Sequence, residues 1–579
     1  MRGAPVRQAG AVTAGGQVRE DPLEQALRGL REALGAVRLP LAVPGAEAAL
    51  ALRRELADQL DDYVLPRLAR LDAPLLVVVG GSTGAGKSTL VNALVRADVT
   101  RPGVLRPTTR EPVLVHHPDD APWFAPGRLL PGLARTTGAT GDPGSLQLVP
   151  TPAAPRGLAL LDAPDVDSVV AENRRLAGQL LAAADLWLFL TTAARYADAV
   201  PWALLREAAA RSAVVAVVLD RVPPEAATEV RAHLAGMLRE EGLGRAPLFV
   251  VPEGGLASGR LPEDAVAPLR GWLHGLAADA PARAAVARAT LDGVLRSYGR
   301  RAAPLVEALA AQEATGRDLG AAAAGAYADA VRAVDDAVRD GSLLRGEVLA
   351  RWQDVVGTGD LLRGLQRRVG HLRDRVTAAA TGRPAPEERL AEALESGVEA
   401  LVLAQAASAA ERAAGAWRRD PAGRALLAAA PGLDRPSPDL AERTARAVRD
   451  WQGAVLDLVR REGADRRRTA RAVAYGVNGV ALAVMVLVLA SVGPLTGGEV
   501  AVAGGASALS QKLLEALLGD QAVRSLAARA REDLEERVAA LLGQERERYD
   551  ALLAQEGPPT SAEALRAALH AVAARTGAP

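Results

Sequence analysis

Hydrophobic residues change their spacing several times along the chain, and each change marks a different kind of structure. From Asp21 to Leu71 they recur at three- and four-residue intervals, which predicts two amphipathic helices, the second running through Glu47-Ala-Ala-Leu-Ala-Leu-Arg-Arg-Glu-Leu56, with a break at Pro40 to Pro44. Between residues 72 and 285 short apolar runs alternate with helical stretches. The runs are Leu75-Leu-Val-Val-Val79, Val113-Leu-Val-His-His117, Gly157-Leu-Ala-Leu-Leu-Asp162, Leu186-Trp-Leu-Phe-Leu190, Val214-Val-Ala-Val-Val-Leu219 and Leu248-Phe-Val-Val251. Alternation of this kind predicts an α/β domain with a mainly parallel sheet and helices on both faces. From 286 to 470 the strand signal vanishes, and Ala, Leu, Arg and Glu at helical spacing predict a long all-α bundle or stalk, broken at Gly382 to Pro386 and Pro431 to Pro438. Helical spacing returns from Lys512 to residue 579, as in Ser525-Leu-Ala-Ala-Arg-Ala-Arg-Glu-Asp-Leu. Residues 1–20, rich in Gly and Ala, are expected to be disordered.

One segment has no polar face at all. Ala472 to Gly498 is a 27-residue stretch without an acidic or basic side chain, strongest at Val480-Ala-Leu-Ala-Val-Met-Val-Leu-Val-Leu-Ala-Ser-Val492, and Arg466, Arg467, Arg468 and Arg471 stand just before it. A bilayer core takes about 20 apolar helical residues, and a basic flank suits an anionic cytoplasmic leaflet. After the turn-forming Gly493-Pro-Leu-Thr-Gly-Gly498 a second uncharged run, Val500 to Gln511, is about 18 Å long as a helix, too short to cross. Residues 471–511 therefore read as an apolar hairpin dipping into a membrane. A helix pair buried inside the bundle is the other reading, since Gly476, Asn478 and Gly479 dilute the first half.

Composition narrows the chemistry. A chain of 579 residues implies several domains. Formal net charge is zero, and no basic patch with interleaved aromatics points to nucleic acid. Cysteine is absent, which excludes disulfides, zinc thiolates and thiol nucleophiles. The six His are dispersed, and His116-His117 ends a predicted strand, a poor start for a metal site. The first twenty residues lack the apolar stretch of a secretion signal, so a cytoplasmic location is expected.

The sharpest chemical signal is Gly81-Ser-Thr-Gly-Ala-Gly-Lys-Ser88, a complete G-x-x-x-x-G-K-[ST] phosphate-binding loop between a predicted strand and a predicted helix. Lys87 is one of only two lysines in a chain that otherwise uses Arg. In such a loop the backbone N–H groups of Gly81, Ser82, Thr83, Gly84, Ala85 and Gly86 and the start of the helix at Thr89 surround the phosphates, Lys87 reaches the β- and γ-phosphates, and the Ser88 hydroxyl ligates Mg²⁺. A carboxylate at the end of a neighbouring strand completes the metal site, and Leu160-Leu-Asp162-Ala-Pro-Asp165 supplies Asp162. Between these lies Arg106-Pro-Thr-Thr-Arg-Glu-Pro-Val-Leu-Val115, where a Thr can close over the γ-phosphate and metal; an ordinary Pro-Thr turn is the alternative.

The stretches Gly80 to Thr89, Gly103 to Val115 and Leu161 to Asp165, with the helical architecture around them, resemble the dynamin-family GTPases, most closely the bacterial dynamin-like proteins. The resemblance is specific over the roughly 90 residues that hold these three stretches and architectural elsewhere. It implies GTP and Mg²⁺ as ligands, Thr109 as switch residue and metal ligand with Thr108 next in line, and base contacts from the stretch holding Asp220 and Arg221. It also implies a helical neck and trunk from residues 21–71, 286–470 and 512–579, tipped by a membrane paddle at 471–511. Self-association through the GTPase domain, at the cytoplasmic face of the cell membrane, follows from the same likeness, which leaves room for a second dynamin-like partner. Three departures stand against it. Thr83 and Gly84 replace the family's Gln-Ser, Asp165 replaces a glycine, and Pro223 falls where the guanine-pairing carboxylate belongs. Slow hydrolysis is the expectation, and a membrane-tethered switch with little turnover or an ATP-binding protein are the alternatives.

Overall fold

The structure is a computed structural model that describes residues 21–100, 111–165, 171–210, 213–255, 260–339, 386–462, 520–555 and 561–577. The N-terminal residues 1–20, the stretch with Thr108 and Thr109, and the segment 471–511 for which a membrane hairpin is expected lie outside these residues. Among the described residues no helix is long and apolar enough to cross a membrane.

The chain divides into two compact units. The first comprises residues 1–39, 44–310 and 560–579, and the second residues 40–43 and 311–559. In chain order the first unit holds α1 (Pro22–Ala36), α2 (Ala46–Gln59), a π-helical turn (Leu60–Val64) and α3 (Leu65–Ala69). The α/β core follows with β1 (Leu75–Gly81), α4 (Lys87–Val95), β2 (Val113–His116), β3 (Ala134–Thr136), β4 (Ser145–Pro150), β5 (Leu158–Asp162), α5 (Ala171–Ala182), β6 (Leu186–Thr192), α6 (Ala199–Ala210), β7 (Val215–Val222), α7 (Ala227–Glu240), β8 (Leu248–Pro252) and α8 (Glu263–Ala278). The long helix α9 (Ala280–Arg339) begins in this unit and continues into the second. There it is followed by α10 (Pro386–Trp417), α11 (Pro421–Ala429), α12 (Leu440–Glu462) and α13 (Asp520–Gln555), and α14 (Ala562–Thr576) returns to the first unit.

The sheet runs β3-β4-β2-β5-β1-β6-β7-β8. Every pairing is parallel except β2 with β5, so the expected mainly parallel sheet is present. The central strands are buried on both faces and read as unbroken apolar runs, as parallel strands do. Leu76 and Val78 of β1 join Trp187, Phe189, Val217 and Leu219 in one core, against α1, α2, α5, α6, α7 and the start of α9. Val77 and Val79 join Leu188, Val218 and the apolar stripes of α4 and α8 in the other. Helices thus cover both faces. Strands β3 and β4 were not expected from the sequence. β3 is only three residues long and partly exposed, in a Thr/Gly-rich region, and it is held by pairing with β4 and not by a hydrophobic pattern of its own.

Beneath the sheet, Asp185 is fully buried ahead of β6 and ion-paired with Arg67 of α3. Its carboxylate also accepts from Leu76 N at 2.8 Å and from the Tyr63 hydroxyl at 3.1 Å. Burial pushes its pKa up while the Arg67 charge and these donors oppose the rise. The network fixes the helices before β1 to the base of the sheet, opposite to where the phosphate loop emerges. α1 and α14, from the two ends of the unit's sequence, pack together through Leu27, Leu30, Leu34, Leu565 and Val572. Asp21 and Ser561 cap them, accepting from Leu23 N and Ala564 N at 3.0 Å each.

In the second unit the buried positions of α12 are Leu440, Thr444, Val448, Trp451, Val455 and Val459, a three-to-four-residue rhythm that places one stripe against α13. α10 presents Ala406, Ala409, Ala410, Ala413 and Ala414 in the same way, and such small residues let neighbours approach closely. Aromatic rings fill the end of this stripe. Trp417 donates from Nε1 to Leu319 O at 2.9 Å and meets Tyr549 edge-on, with centroids 5.1 Å apart.

Candidate phosphate-binding site

β1 is the centre of the sheet, and the chain leaves it first toward β5 and β2 and later toward β6 to β8. In open α/β sheets such a reversal opens a crevice beyond the carboxyl ends of the strands. The loop Gly81 to Ser88 stands there. Gly81 closes β1 opposite Leu190 of β6, and Gly84 and Gly86 hold φ of +75° and +96°, which glycine adopts without a Cβ penalty. Gly86 is the N-cap of α4, whose first turn leaves its N–H groups without intrahelical acceptors. That end of the helix is where an anion is favoured.

Lys87 folds back over this loop. Its Nζ donates to the carbonyls of Gly81 at 3.0 Å and Ser82 at 3.2 Å and is ion-paired with Asp165. Ser88 Oγ donates to Asp162 Oδ2 at 2.5 Å. Asp162 is brought there by register, since it pairs with Val79 at the end of β1. It is fully buried, and its second oxygen, Oδ1, has no hydrogen-bond partner. Burial pushes its pKa up to about 6, against the pull of the Ser88 hydroxyl and the Lys87 charge, and Asp165 adds to the rise. An orphaned buried carboxylate oxygen beside a serine hydroxyl is a hard oxygen donor set of the kind Mg²⁺ takes. These residues fit that ion.

Asp220 and Arg221, at the end of β7, reach the same crevice from the other side. A Cβ placed on Gly86 would lie 3.3 Å from Asp220 Oδ2 and 3.8 Å from Arg221 Nη2. Asp220 is buried with Oδ1 unpartnered, and burial raises its pKa while Arg221 opposes the rise. Arg221 has φ of +54°, an uncommon conformation for a side-chain-bearing residue. The structure thus brings together the loop, Lys87, Ser88, Asp162, Asp165, Asp220 and Arg221 from the ends of β1, β5 and β7.

Three contributors were missed in the sequence. Arg195, in the turn after β6, donates from Nη1 to Thr83 O at 3.2 Å. Asn92, on α4, accepts at Oδ1 from Val99 N and Thr100 N at 3.0 and 2.9 Å and donates from Nδ2 to Thr100 O at 2.8 Å, fixing the chain as it leaves the helix. Glu111 begins the descent into β2 and is buried. Burial alone would raise its pKa, but Thr140 N, Gly141 N and the Ser145 and Thr136 hydroxyls hold it below the usual carboxylate range. A polar residue inside an otherwise apolar helical run was the available signal for Asn92. Nothing in the sequence marked Arg195 among so many arginines.

No protein-family model matches the sequence, and no curated protein matches it. Solved structures do. Among the solved chains it is similar to are two from a bacterial dynamin pair. One chain of an oligomerised bacterial dynamin pair, described as providing a mechanism for the long-range sensing and tethering of membranes, aligns at 11% identity and a TM-score of 0.29 over 94% of this chain and 82% of that chain. Another described in the same words aligns at 12% identity and 0.26, over 72% of this chain and 81% of that one. What the site does must follow from its own residues.

Proposed function

We propose that this protein is a dynamin-like GTPase that binds GTP with Mg²⁺, hydrolyses it slowly and couples the cycle to association with a membrane at its cytoplasmic face. The observation that carries the nucleotide part is the convergence of Lys87, Ser88 and the half-satisfied Asp162 at the carboxyl ends of β1 and β5, in front of the α4 N-terminus. Loop N–H groups bind and orient the phosphates, and Lys87 offsets their charge. Ser88 and Asp162 would hold Mg²⁺, whose part when bound is to neutralise charge on the β- and γ-phosphate oxygens. The two carboxylate oxygens of Asp220 can accept from the adjacent N1–H and N2–H₂ of guanine, where adenine offers only its N6 amine, and this supports GTP over ATP. Membrane association is supported by the uncharged stretch at 472–498 and its arginine flank. Assembly into homo-oligomers through the phosphate-loop unit, and with a second dynamin-like partner, belongs to the same reading.

One observation favours a second reading, a nucleotide switch with little turnover. Asp165 holds the Lys87 ammonium that the phosphates need, so a triphosphate must compete with a carboxylate for it. Turnover and equilibrium binding of GTP and ATP by the full-length protein, with and without anionic liposomes, separate the readings. Lipid-stimulated GTP hydrolysis abolished by Lys87→Ala supports the GTPase. Tight GTP binding without turnover supports the switch, ATP outcompeting GTP overturns the choice of base, and failure to bind either nucleotide refutes both readings.

A further inference from the structure

The turn Thr192-Ala-Ala-Arg-Tyr-Ala-Asp198 carries a cation back to a loop more than a hundred residues earlier in sequence. Arg195 Nη1 donates to the carbonyl of Thr83, at the crest of the phosphate loop. Its Nε donates to Asp198 Oδ2 at 3.0 Å, and the turn is closed by Arg195 N to Thr192 O at 3.0 Å and Asp198 N to Arg195 O at 3.1 Å. The Asp198 carboxylate and the Thr83 carbonyl are among the groups that aim the guanidinium toward the loop, and a planar fork held in this way loses little freedom when it meets a phosphate. The charge around the loop gives it a task. Asp162, Asp165 and Asp220 are all buried there, and Lys87 is already engaged by Asp165 and two carbonyls. A triphosphate adds more negative charge, and its terminal phosphoryl group spreads that charge over its oxygens as it transfers.

We propose that Arg195 is a catalytic residue that supplies, from within the same chain, the positive charge that stabilises the γ-phosphoryl group in transfer to water. This rests on the triphosphatase reading above. In the step, a water oxygen forms a bond to the γ-phosphorus while the bond from that phosphorus to the bridging oxygen breaks. The electron pair stays on the nucleoside diphosphate, and the water proton is released with inorganic phosphate. The guanidinium meets the equatorial γ-oxygens, where an arginine acting on phosphoryl transfer is worth on the order of 10³- to 10⁵-fold. Asp198 is a positioning residue that holds the fork toward Thr83.

The test compares the full-length protein's affinity for GDP with its affinity for GDP plus aluminium fluoride, a mimic of the phosphoryl group in transfer, in Mg²⁺ by calorimetry. Wild type is expected to gain affinity when fluoride is added. Arg195→Ala should lose most of that gain, at least about tenfold, with GDP affinity unchanged within about threefold, while Arg195→Lys restores part of it and Asp198→Asn loses part. In steady-state hydrolysis Arg195→Ala should lower kcat by roughly 10²-fold or more without raising KM, and added guanidinium ion should recover part of the loss. Full fluoride gain in Arg195→Ala overturns the inference and leaves the GTPase reading standing. Equal loss of affinity for GDP with and without fluoride also overturns it, because that is the mark of an arginine that only pins the loop. A wild type that binds GDP without any fluoride gain overturns it too, and a wild type that binds no nucleotide refutes the GTPase reading itself.

Discussion

Gly80 and Gly81 are neighbours in sequence and in β1, yet alanine should do very different things at the two positions. An ideal Cβ on Gly81 would lie 2.2 Å from the carbonyl oxygen of Leu190 and 3.2 Å from its carbon. Ordinary carbon-to-oxygen contact is about 3.3 Å or more, so the overlap is roughly 1.1 Å. The obstacle is backbone, held in register opposite Gly81 by β6, which is itself paired to β7 on its far side. φ of +155° adds to the strain of any side chain. Relief requires β1 and β6 to part at the centre of the sheet, which places the cost at the top of the overpacking range, about 3 kcal/mol or more. A Cβ on Gly80 meets instead the tip of Leu181, with Cδ2 at 3.0 Å and the next atoms at 3.7 and 3.8 Å. A leucine methyl can turn aside for about 0.5–1.5 kcal/mol. Differential scanning calorimetry of the full-length protein should show one transition falling by roughly 5 °C or more in Gly81→Ala, with Gly80→Ala close to wild type. If the two variants melt together, or Gly81→Ala melts with wild type, then the first glycine of the loop is not dictated by β6.

Three further outcomes follow from single contacts. Asp62, in the π-helical turn, has its pKa raised to about 6 chiefly by burial, with Gln179 donating to it and Asp58 and Asp61 nearby. Between the ordinary value and 6 the native state binds the proton that the unfolded state has lost, so stability falls as pH rises through that window. Asp62→Asn should therefore stabilise the protein by up to about 3 kcal/mol at pH 7.5 and by little at pH 4, read from melts at both pH values. Tyr549 donates its hydroxyl toward Ala410 O at 3.1 Å and Leu433 O at 2.7 Å in a fully buried site, so Tyr549→Phe should cost about 1–2 kcal/mol in urea unfolding, and an unchanged midpoint would contradict it. Asp165→Gly removes the carboxylate that competes for Lys87 and should raise affinity for triphosphate on the order of tenfold or more in fluorescent-nucleotide titration; weaker binding would mean that Asp165 orients Lys87 for its task.

The parts of this protein that were legible in sequence are those where local pattern and tertiary packing agree. Buried parallel strands must be apolar on both faces, so β1, β5, β6 and β7 stood out as continuous runs. Lys87, Ser88 and Asp162, which the structure brings together, could be marked in sequence because a G-x-x-x-x-G-K-[ST] pattern fixes residue types at fixed spacing and Asp162 ends an apolar run. β3 and β4 escaped because their pairing is supplied by neighbours across the sheet. Arg195 escaped for a different reason, since its role depends on where the turn after β6 returns in space, and one arginine among so many carries no local signature. The ion pair of Asp165 with Lys87 was likewise beyond the sequence, which marked Asp165 as a departure from a motif but not as the partner of the loop lysine.

The pairing of α1 with α14 has a consequence for how this molecule is born. A ribosome adds about 5–20 residues per second, so α1 leaves the exit tunnel roughly half a minute to two minutes before α14 has been made. Throughout that interval Leu27, Leu30 and Leu34 lack the face that covers them in the finished unit. The second unit is synthesised in full while the first still waits. Nascent chains are thus exposed to chaperones and to mispairing at one defined helix, and a translation product halted between residue 310 and Ala562 carries the whole sheet and its loop on a unit that still lacks α14.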